Sequence, residues 1–490
     1  MSLHLRANQI QHEITALAGK PQMQYAGLAV ITLLAAALRF YRLGEWSFWI
    51  DEIFTINHAM SHFSTIELLL KNIPPSRNWV PVSVILDAQA LKLWGITEWN
   101  ARLAPTLIGI LTIPVLYFPT KKMLGPHIAL ISVLLLTVSA WHIFWSQNAR
   151  FYTSLMLFYT LALFAFHFGI EQDKPGYLFI FFFFAYLAAS ERFSALFIFP
   201  VVVIYLAALW LLGFEKPKGM NVRNLLIITV PLLIGGLIEF YSRIVNGESR
   251  FLLDFTWFFQ YRNDDPIRLL GNITFNIGIP LMTLALFSSF FLIIRRHRAG
   301  LLMTVNAVVP LAMIVAANPF IFTKDRYVFM ALFSWMALAA IAIYELFSQT
   351  TGQHKWLAVG VLALLLMDAG GDALLYYRTN HGNRAEWKTA FSIIEEQSHP
   401  EDIVVAYWPE FGPFYLDREF IQYEDIDVPT LLNSGRRYWF VIDAETIQAN
   451  PEVVSFLESD ARLVDVRYLR TPDDFYLKIY FYDPNQPLPR

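Results

Sequence analysis

The sequence predicts a polytopic α-helical membrane protein with a small soluble α/β domain at its C-terminal end, and three observations predict this fold class. Of the 490 residues, 56% are hydrophobic and only 16% are charged, whereas soluble proteins carry about 25% charged residues. The mean hydropathy is +0.44. Long apolar runs recur along residues 25–376, and half of the chain's Asp and Glu residues follow residue 380.

The apolar runs predict about eleven membrane-spanning helices, each near the roughly 20 residues that a bilayer requires. In chain order the runs are Tyr25–Tyr41, Ala101–Phe118, Ile128–Trp145, Tyr152–Ile170, Tyr177–Ser190, Phe193–Phe214, Leu225–Phe240, Leu269–Ile294, Ala299–Ile321, Tyr327–Leu346 and Trp356–Leu375. A further segment, Val80–Trp94, is interrupted by Asp87 and Lys92. We therefore interpret it as a helix that lies at the membrane interface.

The polar ends and short loops predict the topology. Residues 1–24 are polar, so the first run is interpreted as a retained anchor after a cytoplasmic segment. Basic residues concentrate in alternate loops, which favours a cytoplasmic N-terminus. These residues are Lys121, Lys122, Lys174, Lys216, Lys218, Arg295, Arg296, Arg298 and Lys355. An odd number of spans then places the first outer loop, residues 42–100, and residues 381–490 together on the outer, periplasmic side of the cytoplasmic (inner) membrane.

Residues 381–490 differ sharply in composition from the membrane domain, residues 25–376. An amphipathic pattern predicts a helix at Arg384–Gln397, and apolar runs predict four strands. The strands are Ile403–Tyr407, Tyr438–Ile442, Leu463–Tyr468 and Phe475–Tyr482. We expect a soluble α/β domain of roughly 110 residues.

Composition also excludes several functions. The chain has no cysteine, which rules out disulfides, thiolate metal sites and cysteine nucleophiles. Its net charge is −3 and no basic block is present, so nucleic acid is not an expected partner. The expected partner surface is the lipid bilayer itself.

Two adjacent carboxylates, Asp51 and Glu52, follow the first span and lie beside Trp46 and Trp49. Ionisable groups this close to a bilayer usually mark a functional site. The alternative is that they cap the next helix, because acids are stabilising in a first helical turn. The local pattern alone leaves both interpretations open.

Several cations share the predicted outer side with this acidic pair and form a candidate anion site. They are Arg77, Arg150, Arg192, Lys324 and Arg326. Arginine binds phosphate bidentately and lysine acts as a point charge, so a phosphate carrying a lipid tail would suit them. As alternatives, Arg150 and Arg326 are snorkelling residues at the interface, or Lys324 and Asp325 form a weak surface pair with Arg326.

Two further features have simple interpretations. Arg39 and Arg42 are expected to anchor lipid headgroups at the end of the first span. His58 and His62 are spaced i, i+4 beside the acidic pair, which would fit a divalent metal. One such pair is more often a chance occurrence, and nothing else in the sequence supports a metal.

Four segments resemble the polytopic GT-C glycosyltransferases that use polyprenyl-phosphate sugars, including protein O-mannosyltransferases and lipid A aminoarabinose transferases. They are residues 39–44 (Arg-Phe-Tyr-Arg-Leu-Gly) with 49–52 (Trp-Ile-Asp-Glu), residues 93–103 ending in Ala-Arg-Leu, residues 146–152 (Ser-Gln-Asn-Ala-Arg-Phe-Tyr), and residues 325–327 (Asp-Arg-Tyr). Their order and spacing are preserved over roughly residues 25–345. Family members often have a His-Pro-Pro or Lys-Pro segment before the interfacial helix, and in this sequence residues 78–81 (Asn-Trp-Val-Pro) occupy that place.

The resemblance implies a GT-C fold and a role for each matched residue. Asp51 would be the general base and Glu52 its acidic neighbour. A lipid-phosphate pocket would be formed by Arg150, Tyr152, Lys324 and Arg326, with Arg77 in a shifted equivalent of a family segment. Arg192 and Tyr327, on the same predicted outer side, are further candidate substrate-binding residues. No cofactor is implied.

The function predicted from these observations is inverting transfer of a sugar from a polyprenyl-phosphate donor to a hydroxyl acceptor at the outer membrane face. The acceptor is a glycan, a lipid or a protein, and the sequence does not choose among them. The alternative from another class is a transporter or flippase for a lipid-linked or anionic solute, which would show internal repeats and helices broken at the bilayer midplane. A catalytically inactive assembly subunit is a third interpretation.

Overall fold

The computed structural model describes residues 21–70, 80–245, 265–350, 354–416, 418, 420–423, 427–443, 451–467 and 477–486. Helices dominate the described part of residues 21–378. In chain order they are α1 (Pro21–Phe40), α2 (Ile50–Met60), α3 (Thr65–Leu70), α4 (Val82–Trp94), α5 (Glu98–Ala101), α6 (Leu103–Leu124), α7 (Pro126–Val138), α8 (Ala140–Ser146), α9 (Tyr152–Gln172), α10 (Pro175–Glu191), α11 (Ile198–Leu211), α12 (Val222–Val245), α13 (Pro266–Ile277), α14 (Ile279–Ile294), α15 (Arg298–Ala317), α16 (Leu332–Gln349) and α17 (Lys355–Arg378). Short 3₁₀ turns at Phe193–Phe197 and Asp325–Ala331 lead into α11 and α16.

The predicted polytopic membrane protein is confirmed. Within the described ranges seven helices are long and apolar enough to span a bilayer, or up to nine if each of two bent pairs is one span. The bent pairs are α7 with α8, at 64°, and α13 with α14, at 93°. Every predicted run coincides with a helix or a bent pair, but α10 and the described apolar part of α12 are short. The count of eleven therefore stays a prediction.

Buried Arg39, at the end of α1, stabilises the bend between α7 and α8. Its side chain donates hydrogen bonds to the carbonyls of Leu136 and Thr137, at 3.4 and 3.2 Å, and to Ser146 Oγ at 3.2 Å. The last carbonyls of a helix lack partners within the helix, so this guanidinium satisfies two of them. Arg39 has no exposed surface. Its expected role as a headgroup anchor is therefore wrong.

At the end of the bundle opposite α2, polar side-chain pairs join the ends of helices to the short connections between them. Arg298 contacts Glu171 at 2.8 Å, and Arg295 contacts Glu345 at 2.7 Å. Lys122 donates to Tyr177 Oη at 3.0 Å. The basic residues that predict the cytoplasmic side thus lie opposite the end that carries α2.

The C-terminal region forms a five-stranded mixed sheet with helices on both faces, which confirms the predicted small sheet domain. Its elements are α18 (Trp387–Gln397), β1 (Ile403–Ala406), α19 (Gly412–Tyr415), β2 (Phe420–Gln422), α20 (Val428–Ser434), β3 (Tyr438–Ile442), α21 (Pro451–Asp460), β4 (Arg462–Arg467) and β5 (Leu477–Tyr482). The strand order is β2-β1-β3-β5-β4. β1 is parallel to β2 and β3, whereas β5 is antiparallel to β3 and β4. The short strand β2 was not predicted, and α18 begins three residues later than expected.

Alternation along β3 sends its side chains into two different cores. Trp439 joins an apolar cluster with Phe391 of α18 and with Ile53 and Val84 of the membrane domain. Phe440, its neighbour, joins a separate cluster within the C-terminal region. One face of the sheet therefore packs on residues between α1 and α5, at the end of the bundle where α2 begins.

Gly382 allows the connection between α17 and α18 to pass close to the membrane domain. Its φ is +64°, in the left-handed region that favours glycine. A Cβ at this position would lie 1.3 Å from Cδ1 of Trp46. The indole therefore occupies the space that any other residue would need.

Candidate active site

Asp51 lies in the first turn of α2, where the helix dipole favours a carboxylate. Its Oδ2 atom is 3.3 Å from Nη1 of Arg326 and 3.6 Å from Nη2 of Arg150. The side chain is 23% exposed. A reachable carboxylate thus lies between two guanidinium groups that come from distant parts of the chain.

Arg150 is fixed by the backbone and side chain of α2. Its Nη1 donates to the Asp51 carbonyl and to Thr55 Oγ1, both at 2.8 Å. The guanidinium also lies over the ring of Phe151, 4.8 Å from its centre. With 12% of its side chain exposed, Arg150 points into the protein and does not snorkel along the lipid surface.

Arg326 reaches Asp51 from the 3₁₀ turn that precedes α16. Its guanidinium lies 5.6 Å from the ring centre of Trp49, so the aromatic frame of the acidic motif also holds the cation. The Nε atoms of Arg326 and Arg150 are buried and have no hydrogen-bond partner among the described residues. Both arginines therefore retain an N–H group that can donate to an anion.

Three other predicted pocket residues lie one contact further from Asp51. Arg192 donates from Nη2 to Tyr327 Oη at 3.5 Å and lies 5.6 Å from the ring centre of Phe151. Tyr152 is almost fully buried, with its ring 3.9 Å from that of Trp145. The charges of Arg326, Arg150 and Arg192 all act on Tyr152, so these groups lie beside the arginines of the site.

The remaining two predicted residues are not brought to the acidic pair. Lys324 is exposed, and its ammonium lies 5.2 Å from the ring centre of Phe322. Arg77 lies outside the described residues.

Glu52 points away from Asp51 into a buried ion cluster. Arg102 binds it bidentately, with Nε to Oε1 and Nη2 to Oε2 both at 2.8 Å. Nε of Arg384 lies 3.4 Å from Oε2, and the backbone N–H of Ala149 donates to Oε1 at 2.8 Å. The Glu52 side chain has 0% exposure, so it does not reach a substrate.

The charges around Glu52 determine its protonation. Burial by itself would raise the pKa of Glu52, but the charges of Arg102 and Arg384, with the hydrogen bonds that Arg102 and the Ala149 N–H donate, hold it below its ordinary value. Glu52 is therefore ionised at neutral pH, and the buried cluster carries one carboxylate against two guanidinium groups.

Arg102 and Arg384 were not among the residues predicted for the site. Arg102 also donates to the carbonyls of Leu43, Trp46 and Ser47, at 2.8–3.1 Å, and thereby fixes the loop that leads to Asp51. The Ala-Arg-Leu segment contained a signal for it. Arg384 had none, because nothing in the sequence relates the start of the C-terminal region to Glu52.

The turn that carries Arg150 is held by polar contacts at each residue. Gln147 Nε2 donates to the carbonyls of Arg39 and Tyr41, at 2.9 and 2.7 Å. Trp49 Nε1 donates to Asn148 Oδ1 at 2.8 Å. Arg384 Nη2 donates to the Gln147 carbonyl at 2.7 Å, so the C-terminal region contributes to the position of Arg150.

Other ionisable groups near α2 are the histidine pair, His58 and His62, and the buried Asp87. The Nε2 atoms of His58 and His62 are 3.3 Å apart, and His62 Nδ1 is 3.0 Å from Thr65 Oγ1. In the described part of the chain no three His, Cys, Asp or Glu side chains converge as metal ligands. Asp87 of α4 is buried, and neither carboxylate oxygen has a hydrogen-bond partner among the described residues.

The chain is similar to known proteins in part of its sequence and in its fold. Residues 74–234 match the sequence model of the dolichyl-phosphate-mannose-protein mannosyltransferase family. Comparison with curated protein sequences gave no match.

Solved structures are similar over nearly the whole chain. ArnT from Cupriavidus metallidurans in the apo state superposes with a TM-score of 0.58 at 15% identity, covering 94% of this chain and 99% of that one. The same protein bound to undecaprenyl phosphate gives 0.58 at 14% identity, covering 92% and 97%. The archaeal oligosaccharyltransferase AglB from Archaeoglobus fulgidus, in complex with an inhibitory peptide and a dolichol-phosphate, gives 0.55 at 11% identity, covering 93% and 74%.

Proposed function

This chain has the GT-C fold of membrane glycosyltransferases, and we propose that it transfers a sugar from a polyprenyl-phosphate-linked donor to a hydroxyl acceptor. The observation that carries the proposal is the position of Asp51 between Arg150 and Arg326 at one end of the bundle. The match to a dolichyl-phosphate-mannose-dependent family supports a lipid-phosphate donor. Similarity to a protein bound to undecaprenyl phosphate supports the same donor class.

Asp51 acts as the general base in this proposal. It accepts the proton of the acceptor hydroxyl while the hydroxyl oxygen attacks the anomeric carbon of the donor sugar. The bond from that carbon to the phosphate oxygen breaks, and the lipid phosphate leaves with the electron pair. A single displacement of this kind inverts the anomeric configuration.

Arg150 and Arg326 bind the donor phosphate and stabilise the charge that it gains on leaving. Each has a buried Nε–H without an acceptor among the described residues, and guanidinium groups match phosphate geometry bidentately. Arg192, Tyr152 and Tyr327 line the approach on one side. Because these cations can neutralise the negative charge of the donor phosphate, we propose that transfer needs no metal cofactor. A chelator should therefore leave the rate of transfer unchanged.

Glu52 has a positioning role in this scheme. It is saturated by Arg102, Arg384 and the Ala149 N–H. These contacts connect the first turn of α2 to the turn that carries Arg150. Glu52 therefore fixes the separation between the base and one phosphate ligand, and contacts neither substrate.

We further propose that the site faces the outside of the cytoplasmic membrane. Asp51 and the C-terminal sheet lie at one end of the bundle, and the basic connections near Lys122 and Arg298 lie at the other. Basic loops favour the cytoplasm. A reporter that is active only in the cytoplasm, fused after Arg490, should be silent, and strong activity would overturn this orientation.

The function is tested with purified protein in lipid nanodiscs, supplied with polyprenyl-phosphate sugars extracted from the source membranes. We expect release of free lipid phosphate together with transfer of the labelled sugar to an envelope acceptor. The bent pairs α7–α8 and α13–α14 are a feature that the rival transporter would share. A transporter would leave the donor chemically unchanged. A donor that stays unaltered over many hours would therefore overturn the proposed glycosyltransferase function.

A further inference from the structure

A cavity of about 360 Å³ lies between α2 and the C-terminal region, next to the site but not lined by Asp51. Its lining consists of Asn57, Met60, Ile96, Glu410, Pro413 and Phe414. Two of these residues belong to the helix that begins with the Asp51 turn, and three belong to the segment between β1 and β2. The cavity is therefore lined by residues of both the membrane domain and the C-terminal region.

The polar groups of this cavity suit hydroxyl groups. Glu410 lines the cavity, and its Oε2 atom has no hydrogen-bond partner among the described residues. A buried acceptor oxygen without a donor is costly, and a carboxylate can only accept hydrogen bonds. Asn57, which is exposed and also lines the cavity, can both donate and accept hydrogen bonds. The pair offers complementary partners to a ligand rich in hydroxyl groups.

Aromatic rings supply the apolar surface of the same region. Phe414 lines the cavity. Outside the lining, Phe54 of α2, three residues before Asn57, is 43% exposed and meets Trp408 edge to face, with ring centres 6.3 Å apart. Flat apolar rings beside a carboxylate and an amide match the two faces of a sugar ring, one formed by C–H groups and one by hydroxyls.

The position of the cavity relates it to the acceptor. Asn57 follows Asp51 by six residues, which is about 9 Å along a helix at 1.5 Å per residue. Two linked sugar rings span a comparable distance. A chain that occupies the cavity can therefore extend along the exposed side of α2 and bring its terminal hydroxyl to the base.

Other ligand classes fit less well. The Glu410 carboxylate would repel a phosphate, and an unpaired carboxylate oxygen does not suit a lipid tail. An extended peptide usually binds by adding a strand to a sheet edge. The edge strands here are β2 and β4, whereas the described lining comes from helices, turns and a loop.

We propose that this cavity is the acceptor subsite and that the acceptor is a saccharide. The inference rests on the proposed function and narrows it, because glycan, lipid and protein acceptors were all open. It assigns Glu410 and Asn57 to the acceptor, in contrast to Arg150 and Arg326, which are assigned to the donor.

The test exploits the absence of cysteine from the chain. A single thiol is introduced in the full-length protein by Asn57→Cys, or by Ser61→Cys as a matched control one turn further along the chain and outside the cavity lining. Each variant is assayed in nanodiscs before and after reaction with a bulky maleimide. Two acceptor pools come from source envelopes, one of glycans freed of protein and one of peptides freed of glycan.

We expect transfer to the glycan pool, and we expect labelling of Asn57→Cys to reduce that transfer by about tenfold or more. Labelling should reduce release of lipid phosphate to water much less, because the donor side is untouched. Labelling of Ser61→Cys should have little effect on either rate. A second variant, Glu410→Gln, should raise the KM for the glycan with little change in the KM for the donor.

Transfer to the peptide pool alone would overturn the saccharide assignment. Equal inhibition by labelling at both thiols, or no inhibition at either, would overturn the assignment of the cavity. If the unmodified protein consumes no donor, even with water as acceptor, the proposed function fails and this inference fails with it. A failure confined to the acceptor leaves donor consumption intact, so the two cases are distinguishable.

Discussion

Asp51 and Glu52 are neighbours in sequence but have opposite environments. The Asp51 carboxylate is partly exposed and lies 3.3 Å from a guanidinium nitrogen of Arg326, whereas Glu52 has no exposed surface and is bound bidentately by Arg102. The helix that begins at Ile50 rotates consecutive side chains by about 100°. One carboxylate is thereby directed to the site and the other to its support.

The Asp51→Asn variant should lose transfer by about 10²–10⁴-fold, because the amide cannot accept a proton from the acceptor. Donor affinity should be retained or increased, since the neutral side chain no longer competes for Arg150 and Arg326. Turnover and donor binding are measured separately on protein of matched melting temperature. Turnover near that of the wild type would end the base assignment.

Arg150→Lys should raise the donor KM by about tenfold or more, because an ammonium cannot reproduce the guanidinium fork. Lys324→Ala should have a much smaller effect, since Lys324 is exposed and its ammonium rests on Phe322. Steady-state kinetics on the two variants distinguish an arginine that binds the donor phosphate through its geometry from a cation that acts only through its charge. Equal losses in both would contradict the distinction drawn from their contacts.

The Glu52→Gln variant should lower stability more than it lowers the intrinsic rate of chemistry. Removing one partner of a buried ion pair typically costs about 3–5 kcal/mol, and two buried guanidinium groups would here lose their carboxylate. Thermal melting in detergent measures the loss. Glu171→Gln, at the partly exposed pair with Arg298, is the control and should cost less. A melting temperature like that of the wild type would show that the cluster does not hold the fold.

Asp87 should make stability fall as the pH rises. Its burial, reinforced by the negative charges of Glu191 and Glu52, raises the pKa of its carboxyl group well above the ordinary value. The folded state therefore favours the protonated form, so the stability it contributes is complete below about pH 4 and is lost towards the raised pKa. Asp87→Asn should melt higher than the wild type at about pH 8, and the difference should shrink at about pH 5. A constant difference at both pH values would contradict this.

Gly382→Ala should loosen the C-terminal region from the membrane domain. The added methyl group would meet the indole of Trp46, and alanine disfavours a φ of +64°. Limited proteolysis should cut the connection between residues 378 and 387 faster in the variant. Gly371→Ala, in α17 with open space around its position, should be cut at the wild-type rate. Unchanged cleavage in Gly382→Ala would show that the contact is not required.

Long apolar runs predicted the membrane helices well because a lipid environment leaves few alternatives to a helix. The bends did not follow from the runs, since Ser139 and Gly278 are single residues inside continuous apolar stretches. Strands of four to six residues in the C-terminal region were predicted from their hydrophobicity. The three-residue strand β2 was missed because it is too short to show a pattern.

The partly exposed residues of the site were predicted better than the buried residues that hold them in position. Asp51, Arg150 and Arg326 were identified from the motif and from their charge, and the structure brings them together. Arg39 was misinterpreted because a cation at a span end usually faces headgroups, while here it satisfies helix carbonyls. Arg384 was missed because its partners, Glu52 and Gln147, are distant in the chain and only the fold relates them.

The contacts of Arg384 also determine when, during synthesis of the chain, the contacts around Glu52 can be completed. Glu52 and the turn at Gln147 are synthesised early, yet one of the groups that binds both comes from a residue near the start of the last domain. A nascent chain inserted as far as α17 has all its membrane helices and still lacks that guanidinium. The contacts around Glu52 are therefore complete only after the ribosome has passed residue 384 and the emerging sheet has docked, and we expect a chain terminated before that residue to be inactive.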